Sequence, residues 1–432
     1  MSDIILYGKG KTGQSLKKMT EQLGKTSVFF DDTNGFDCDC DFEKNSLVVV
    51  SPGVKPDAEG MLRAQKAGAV IVGELEYCFP FCKGKCVSVT GTNGKTTVCQ
   101  MIHFILQQVC KASHLLGNGG VPLSSQVLDV APDEIVVLES SSFQLQNVEH
   151  FSPYISVITN VAADHLDYHG SFENYVQAKS NNFRHQNSES LSVFNADDAL
   201  ALQISFDSPS LTYYYSVSNR NANCYYNKGT VFLNVFGRQE SFSCVYLSCL
   251  AKHNLSNALC AILTSRLLGV SIEQSCRAIE LYKLLPHRLQ PLTTYNGVTF
   301  VDDSKATNVH ATVSALRCYE NTPLTLILGG SDKDCVFDEI FSEAKSNVKL
   351  ICAVGQTAEK ISLTAKKYFW NVKICSDYKQ ALRTCYGKIK NVGGVVLMSN
   401  ACASFDMFES YAQRGDYFAN LVEELCREEK KV

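Results

Sequence analysis

The stretch VSVTGTNGKTTV, Val87 to Val98, constrains the fold of this chain more than any other. An apolar run gives way to a glycine turn and then to a lysine and threonines that open a segment with helical spacing. That is the order in which a parallel strand delivers a phosphate-binding loop to a helix N-terminus, and such a strand belongs in an α/β fold. The usual Gly-x-x-x-x-Gly-Lys-Thr pattern would need glycine at position 89, where the chain has Val89; its first glycine is Gly91, so the loop is a shorter form. Backbone N–H groups from Gly91, Thr92, Asn93 and Gly94 are expected to face a polyphosphate, with Lys95 reaching the β and γ phosphates, Thr96 holding a magnesium ion and Thr97 completing the nucleotide site.

Apolar runs that end in a glycine or an acid recur in three groups along the 432 residues, a length for which two or three domains are expected. DIILYGKGKTGQSL, SVFFDDT and SLVVVSPGV form the first group. KCVSVTGTNGKTT, EIVVLESSSFQL and YISVITNVAADH form the second; VTFVDDSKATN, LTLILGGSDKD, LICAVGQT and GVVLMSNACASFD form the third. CFPFCKGK and the helix-ending proline of LYKLLPHRLQP punctuate the boundaries. The expected fold is α/β in three domains: Rossmann-like over 1–83, P-loop ATPase-type over 84–285 and Rossmann-like again over 286–432. From about Leu191 to Tyr246, aromatic and β-branched alternation predicts antiparallel strands that extend the mostly parallel central sheet.

With 45% hydrophobic and 19% charged residues and a formal net charge of −4, the chain lacks the basic footprint that a nucleic acid demands. No apolar run reaches the ~18 residues of a membrane span, and the start has no signal-peptide layout, so a cytoplasmic protein is expected. The 19 cysteines, odd in number and scattered, read as reduced thiols. Cys78, Cys82 and Cys86, with Cys38 and Cys40 upstream, have neither zinc-ribbon nor ferredoxin spacing.

Two further strand ends offer chemistry. EIVVLE stops at Glu139, a carboxylate where a P-loop protein places a magnesium ligand, and NVAADHLDYHG gives His165 a similar position. Lys179, in NYVQAKSNNF, reads by itself as a solvated helix residue. In the first segment Gly8, Gly10 and Gly13 form Gly-x-Gly-x-x-Gly, and Asp31 and Asp32 end the next strand. Taken alone these suit an NAD-dependent oxidoreductase, and equally a site for any nucleotide diphosphate.

Taken in order, GTNGKTT, ESSSFQL, NVAADHLD, HNLSNA, LPHR and DDSKATN resemble the Mur ligases, the ATP-dependent amino-acid ligases of peptidoglycan synthesis, over essentially the whole chain. DSKATN, LGGSDK and ACASFDMFESYAQRG are similar to the branch that adds D-glutamate. The resemblance implies that ATP phosphorylates the alanine carboxylate of UDP-N-acetylmuramoyl-L-alanine, and that the amino group of D-glutamate attacks the acyl phosphate. It implies catalytic roles for Lys95, Glu139, His165 and Lys179. Glu139 would help bind a first magnesium ion and His165 and Lys179 a second, Lys179 as a carbamate because an ammonium cannot ligate a cation. ATP would also meet Asn254, Asn257, Arg288 and Asp303. Gly8, Lys11, Thr12, Asp31, Asp32, Thr33 and Asn118 would take the UDP substrate in place of NAD. D-glutamate would meet His165, Lys305, Thr307, Lys333, Ser404 and Tyr411. The chain departs from the family at Tyr411, often phenylalanine, and at Asn400, often proline. The acyl-phosphate route leaves Cys402 no role as a nucleophile, and no obligate protein partner is implied.

Overall fold

A computed structural model describes residues 4–37, 41–250, 252–283, 286–332 and 335–430. The chain divides into two compact units, Met1–Tyr282 and Lys283–Val432.

The first unit contains two sheets. β1 (Ile4–Tyr7), β2 (Ser27–Asp31), β3 (Gly35–Phe36), β4 (Leu47–Val50) and β5 (Val70–Gly73) are ordered β3-β2-β1-β4-β5. Only β3 runs antiparallel. The second sheet is built from β6 (Lys85–Thr90), β7 (Ser113–Gly117), β8 (Ile135–Glu139), β9 (Ile155–Ile158), β10 (Leu191–Asn195), β11 (Leu211–Ser216), β12 (Cys224–Asn227), β13 (Thr230–Val235) and β14 (Arg238–Ser243). Their order is β14-β13-β12-β11-β10-β9-β6-β8-β7. Every residue of β8 and β9 is buried, as continuous apolar runs covered on both faces should be. The chain leaves β6 for the edge strand β7, returns through β8 and then crosses to β9. The carboxyl ends of β6 and β9 therefore flank the switch point where open α/β sheets bind ligands. One buried cluster joins the two sheets: Ile4, Leu6, Leu16 and Met19 pack with Val136, Leu138, Leu145 and Phe151.

The expectation of antiparallel strands from Leu191 onward needs correcting. β10 pairs in parallel with β9 and β11, and β11 with β12; antiparallel pairing begins only at β12 with β13 and continues to β14. Asp198 caps a short helix, Ala199–Ser205, that carries the chain back for a parallel strand, a crossover masked by the aromatic run after it. The true hairpins turn at Lys228–Gly229 and Phe236–Gly237, all four with positive φ, as two-residue loops require.

The second unit has one sheet of β15 (Gln290–Tyr295), β16 (Val298–Asp302), β17 (Leu324–Leu328), β18 (Val348–Ala353), β19 (Val372–Ile374) and β20 (Gly394–Met398), ordered β15-β16-β20-β17-β18-β19. Only β15 is antiparallel. Alternate residues feed two cores: Leu326, Leu328 and Leu397 point to one face, Ile327, Val396 and Met398 to the other. Among the described residues no helix is long and apolar enough to cross a membrane.

Candidate active site

The loop after β6 is fixed by the residues that follow β9. Gly91 has φ +146°, and a Cβ there would lie 1.9 Å from Thr159 Oγ1, so only glycine fits. Thr92 N donates to Asn160 O and Asn93 N to Asn160 Oδ1, both at 2.9 Å, while Thr159 Oγ1 donates to Asn93 O at 2.6 Å. The helix Lys95–Gln108 then starts at Gly94 without a side-chain cap, which leaves its first N–H groups for an anion. Asn257 reaches the same turn: a Cβ on Gly94 would meet Asn257 Oδ1 at 2.6 Å. Asn254 is buried one turn earlier on the helix Lys252–Leu267.

Two lysines converge on this loop. Lys95 Nζ donates to Gly91 O at 2.8 Å and Thr92 O at 2.9 Å. Lys179, on the helix Phe172–Ser180, is only 1% exposed and also donates to Gly91 O, at 2.8 Å. Its ammonium lies 4.5 Å from the Tyr175 ring centroid, and Tyr175 Oη lies 3.0 Å from Thr92 Oγ1. Burial, and after it the charge of Lys95, pushes the Lys179 amine well below the ordinary lysine range, with Asp164 opposing. By itself the sequence suggests a solvated lysine; the fold buries it.

Glu139 ends β8, which lies beside β6, and its carboxylate is buried. Asn118 holds it twice, donating through N to Glu139 O at 2.8 Å and through Nδ2 to Oε1 at 2.9 Å. A Cβ on Gly119 would stand 2.5 Å from Glu139 Oε2 and 3.9 Å from Thr96 Cγ2, which brings Thr96 and Glu139 to one spot. Among the described residues no three His, Cys, Asp or Glu side chains gather into a cage. A buried carboxylate beside a threonine fits a magnesium ion that takes its other oxygens from water and phosphate. His165, with φ +54°, packs its ring 4.8 Å from that of Phe143, and its Nε2 lies 3.7 Å from Asp164 Oδ2.

At the end of β1, Gly8 N donates to Phe30 O at 2.9 Å, and the helix Lys11–Gln22 follows, with Thr12 in its first turn. Lys11 Nζ donates to Gly120 O. Asp31 braces its own turn: Thr33 N and Asn34 N donate to its Oδ1 at 3.0 and 2.8 Å, and Lys9 Nζ stands 3.3 Å from its Oδ2. Asp32 accepts from Tyr7 Oη at 2.5 Å and from Gly60 N at 2.8 Å.

In the second unit, the carboxyl ends of β16 and β20 carry most of the residues expected to bind amino acid. Lys305 Nζ sits 3.7 Å from the Tyr411 ring centroid, and Ser304 Oγ donates to Tyr411 O at 2.7 Å. Ser404 is buried, and Thr307 lies just before the cap of the helix Val309–Arg317. Lys333 lies outside the described residues. Asp303 accepts from Ser399 Oγ at 2.7 Å and from Leu289 N at 3.1 Å, next to Arg288. Asn400 is fully buried and donates to Gly329 O at 3.0 Å and Tyr378 Oη at 2.7 Å.

The sequence reading missed several residues that shape these sites. Asp164 and Tyr175 flank Lys179, and Asn160 braces the phosphate loop. Asp164 could have been found, since it stands beside His165 at a strand end. Arg414 is 0% exposed and donates to Ser304 Oγ, Ser304 O, Cys402 O and Ala403 O at 2.8–3.2 Å, tying together the two loops that carry Lys305 and Ser404. Nothing local marks it, because a helix arginine ordinarily faces water.

Comparison with known proteins agrees with this architecture. Residues 89–265 match the Mur ligase middle domain and 287–402 the Mur ligase, glutamate ligase domain. The UDP-N-acetylmuramoylalanine–D-glutamate ligase of Clostridioides difficile is 32% identical over 445 residues, covering 98% of each chain. The ligase of that name from Acidobacterium capsulatum is 36% identical over 386 residues, 88% of this chain and 83% of its own. Among solved structures, MurF from Acinetobacter baumannii superposes with a TM-score of 0.63 at 15% identity, covering 94% of this chain and 98% of its own. The UDP-N-acetylmuramate–alanine ligase of Thermotoga maritima gives 0.58 at 18%, covering 98% and 100%. These two establish likeness of fold, and the sequence relatives establish kinship: the chain belongs to the Mur ligase family.

Proposed function

We propose that this chain is an ATP-dependent ligase that joins D-glutamate to UDP-N-acetylmuramoyl-L-alanine in the cytoplasm, with domains over 1–83, 84–285 and 286–432. The observation that carries it is the meeting of Lys95 and the buried Lys179 on the Gly91 carbonyl, with Glu139 ending the neighbouring strand. A loop built only to hydrolyse nucleotide has no use for a second, buried lysine. The choice of D-glutamate follows the names of the relatives.

In this reaction two anions, a carboxylate and a triphosphate, must meet. Magnesium at Glu139 and Thr96 supplies positive charge that offsets their repulsion. Lys95 swings from its loop carbonyls onto the transferring phosphoryl group. The alanine carboxylate oxygen attacks the γ-phosphorus and ADP leaves. The amino nitrogen of D-glutamate then attacks the acyl carbon, gives up a proton, and the tetrahedral intermediate collapses with release of phosphate. Asn254, Asn257, Arg288 and Asp303 bind ATP, Gly8, Lys11, Thr12, Asp31, Asp32, Thr33 and Asn118 hold the UDP portion, and Lys305, Thr307, Lys333, Ser404 and Tyr411 receive the amino acid.

Lys179 serves as a carbamate. Carbon dioxide reacts with a neutral amine, and burial beside Lys95 favours that form. The neutral amine nitrogen bonds to the carbon of CO2, one C=O π pair moves onto oxygen and the nitrogen gives up a proton, which leaves an anion that would attract Lys95 and, with His165, suit a second magnesium ion. Phosphate release measured with ATP, UDP-N-acetylmuramoyl-L-alanine and a panel of amino acids tests the whole assignment. D-glutamate should support turnover, while L-glutamate, D-alanine and meso-diaminopimelate should not; a diamino acid as the best acceptor would overturn it.

A further inference from the structure

Glu74 opens the short helix after β5, is 1% exposed, and has no basic partner among its hydrogen bonds. Its Oε1 accepts from Ser124 N at 3.1 Å and Ser124 Oγ at 2.7 Å, while Oε2 is buried without a hydrogen-bond partner. Burying a carboxylate without a counter-charge is costly, and burial pushes the Glu74 pKa up against the pull of its hydrogen bonds to Ser124. A buried carboxyl group is an expensive way to fill a core position that leucine could occupy; what it supplies there is an acceptor for Ser124.

That acceptor secures one end of a segment whose other end touches the site. Ser124, which also lies 2.9 Å from Ser15 Oγ on the helix Lys11–Gln22, closes the run that begins at Gly117. Within the run Asn118 grips Glu139 at two points, Gly119 leaves no room for a Cβ beside the Glu139 carboxylate, and Gly120 O accepts from Lys11. The segment holds three glycines, so its own conformational preferences fix it poorly. Besides the packing of Leu123 in the core and the contacts with Ser15 and Lys11, it is held toward its two ends by Glu139 and Glu74.

We propose that Glu74 is a positioning residue that, through Ser124, holds the 117–124 segment in the shape that presents Asn118 to Glu139 and Gly120 to Lys11. Only the binding arm of its test rests on the nucleotide substrate proposed above. An amide oxygen can accept from Ser124 as the Glu74 Oε1 does, so Glu74→Gln should behave like the parent protein, whereas Glu74→Leu should free the segment.

The test is hydrogen–deuterium exchange of residues 117–125 in the unliganded full chain, paired with calorimetric titration of UDP-N-acetylmuramoyl-L-alanine. Glu74→Leu should exchange this segment at least ~10-fold faster with the rest unchanged, and weaken nucleotide binding ~10-fold; Glu74→Gln should stay within about twofold in both. Ser124→Ala, which removes the hydroxyl donor to Glu74 and the contact with Ser15 but keeps the backbone N–H bond to Glu74, should fall between and serves if the leucine variant does not fold. Unchanged exchange in Glu74→Leu, or in Ser124→Ala where that variant stands in, would overturn the proposal, as would a loss in Glu74→Gln as large as in Glu74→Leu. If the parent protein fails to bind the nucleotide, the proposed function falls, and the exchange comparison still decides the role of Glu74.

Discussion

Lys95 and Lys179 donate to the same acceptor, the carbonyl oxygen of Gly91, each over 2.8 Å. Two ammonium ions ~5 Å apart at an effective dielectric constant of ~20 would repel by roughly 3 kcal/mol, so both do not stay charged at low cost. Lys179 is the buried one, and it gives up the proton first. Lys95 is only half-buried and sits in the first turn of its helix, beside the N–H groups that suit a phosphate.

Removing the Lys95 charge should leave the loop formed but unable to stabilise a transferring phosphoryl group. Lys95→Ala is expected to lower turnover by ~10²-fold or more, a loss of roughly 3 kcal/mol in transition-state stabilisation, with little change in melting temperature. Steady-state phosphate release measures it. Turnover within a few-fold of the parent would show that Lys95 does not face the reacting phosphate.

Gly119 offers a gentler probe. A methyl group there would stand 2.5 Å from Glu139 Oε2, the free end of a side chain and not backbone, so the carboxylate would swing aside while the strands stay put. Gly119→Ala should raise the magnesium concentration needed for half-maximal activity ~10-fold or more and leave thermal stability nearly unchanged. An unaltered magnesium requirement would separate Glu139 from the metal.

What the sequence disclosed depended on how far apart the interacting residues lie. The phosphate loop was legible because strand, glycine turn, lysine and helix are contiguous, and Glu139 because β8 ends in it. Lys179 has no local mark of function; its neighbour Gly91 is 88 positions away, and only the family resemblance singled it out. Arg414 and Glu74 were invisible for the same reason, their partners Ser304 and Ser124 lying 110 and 50 positions off. The run from Leu191 misled because aromatic alternation signals a strand and says nothing of its direction. That is set by the connection, here the Ala199–Ser205 helix.

Asp303 gives a pH-dependent prediction. Burial pushes its pKa up to about 7, against the pull of Ser399, Leu289 N and Arg288. Between about pH 4 and 7 the folded chain holds a proton that the unfolded chain has lost, so this group makes stability fall as pH rises through that window. Asp303→Asn does not titrate. Relative to the parent it should gain stability from about pH 4 to 8, by at most about 4 kcal/mol, in urea unfolding of the full chain. A stability difference that is flat with pH would mean that Asp303 is ionised throughout.

The state of Lys179 admits the sharpest test. As a charged lysine its contribution would be a cation; as a carbamate it would be a carboxylate-like anion drawn to Lys95. The amine is buried against Gly91 O and the Tyr175 ring, so truncation leaves a cavity that a molecule the size of formate or acetate can enter. Lys179→Ala should be nearly inactive, and added formate or acetate should restore part of its turnover. A small primary amine of similar volume should not. Charge decides between them, since both fill the same space. Rescue by the amine and none by the acid would show that the ammonium was the working form, and the carbamate, together with the second-metal role of Lys179, would be withdrawn.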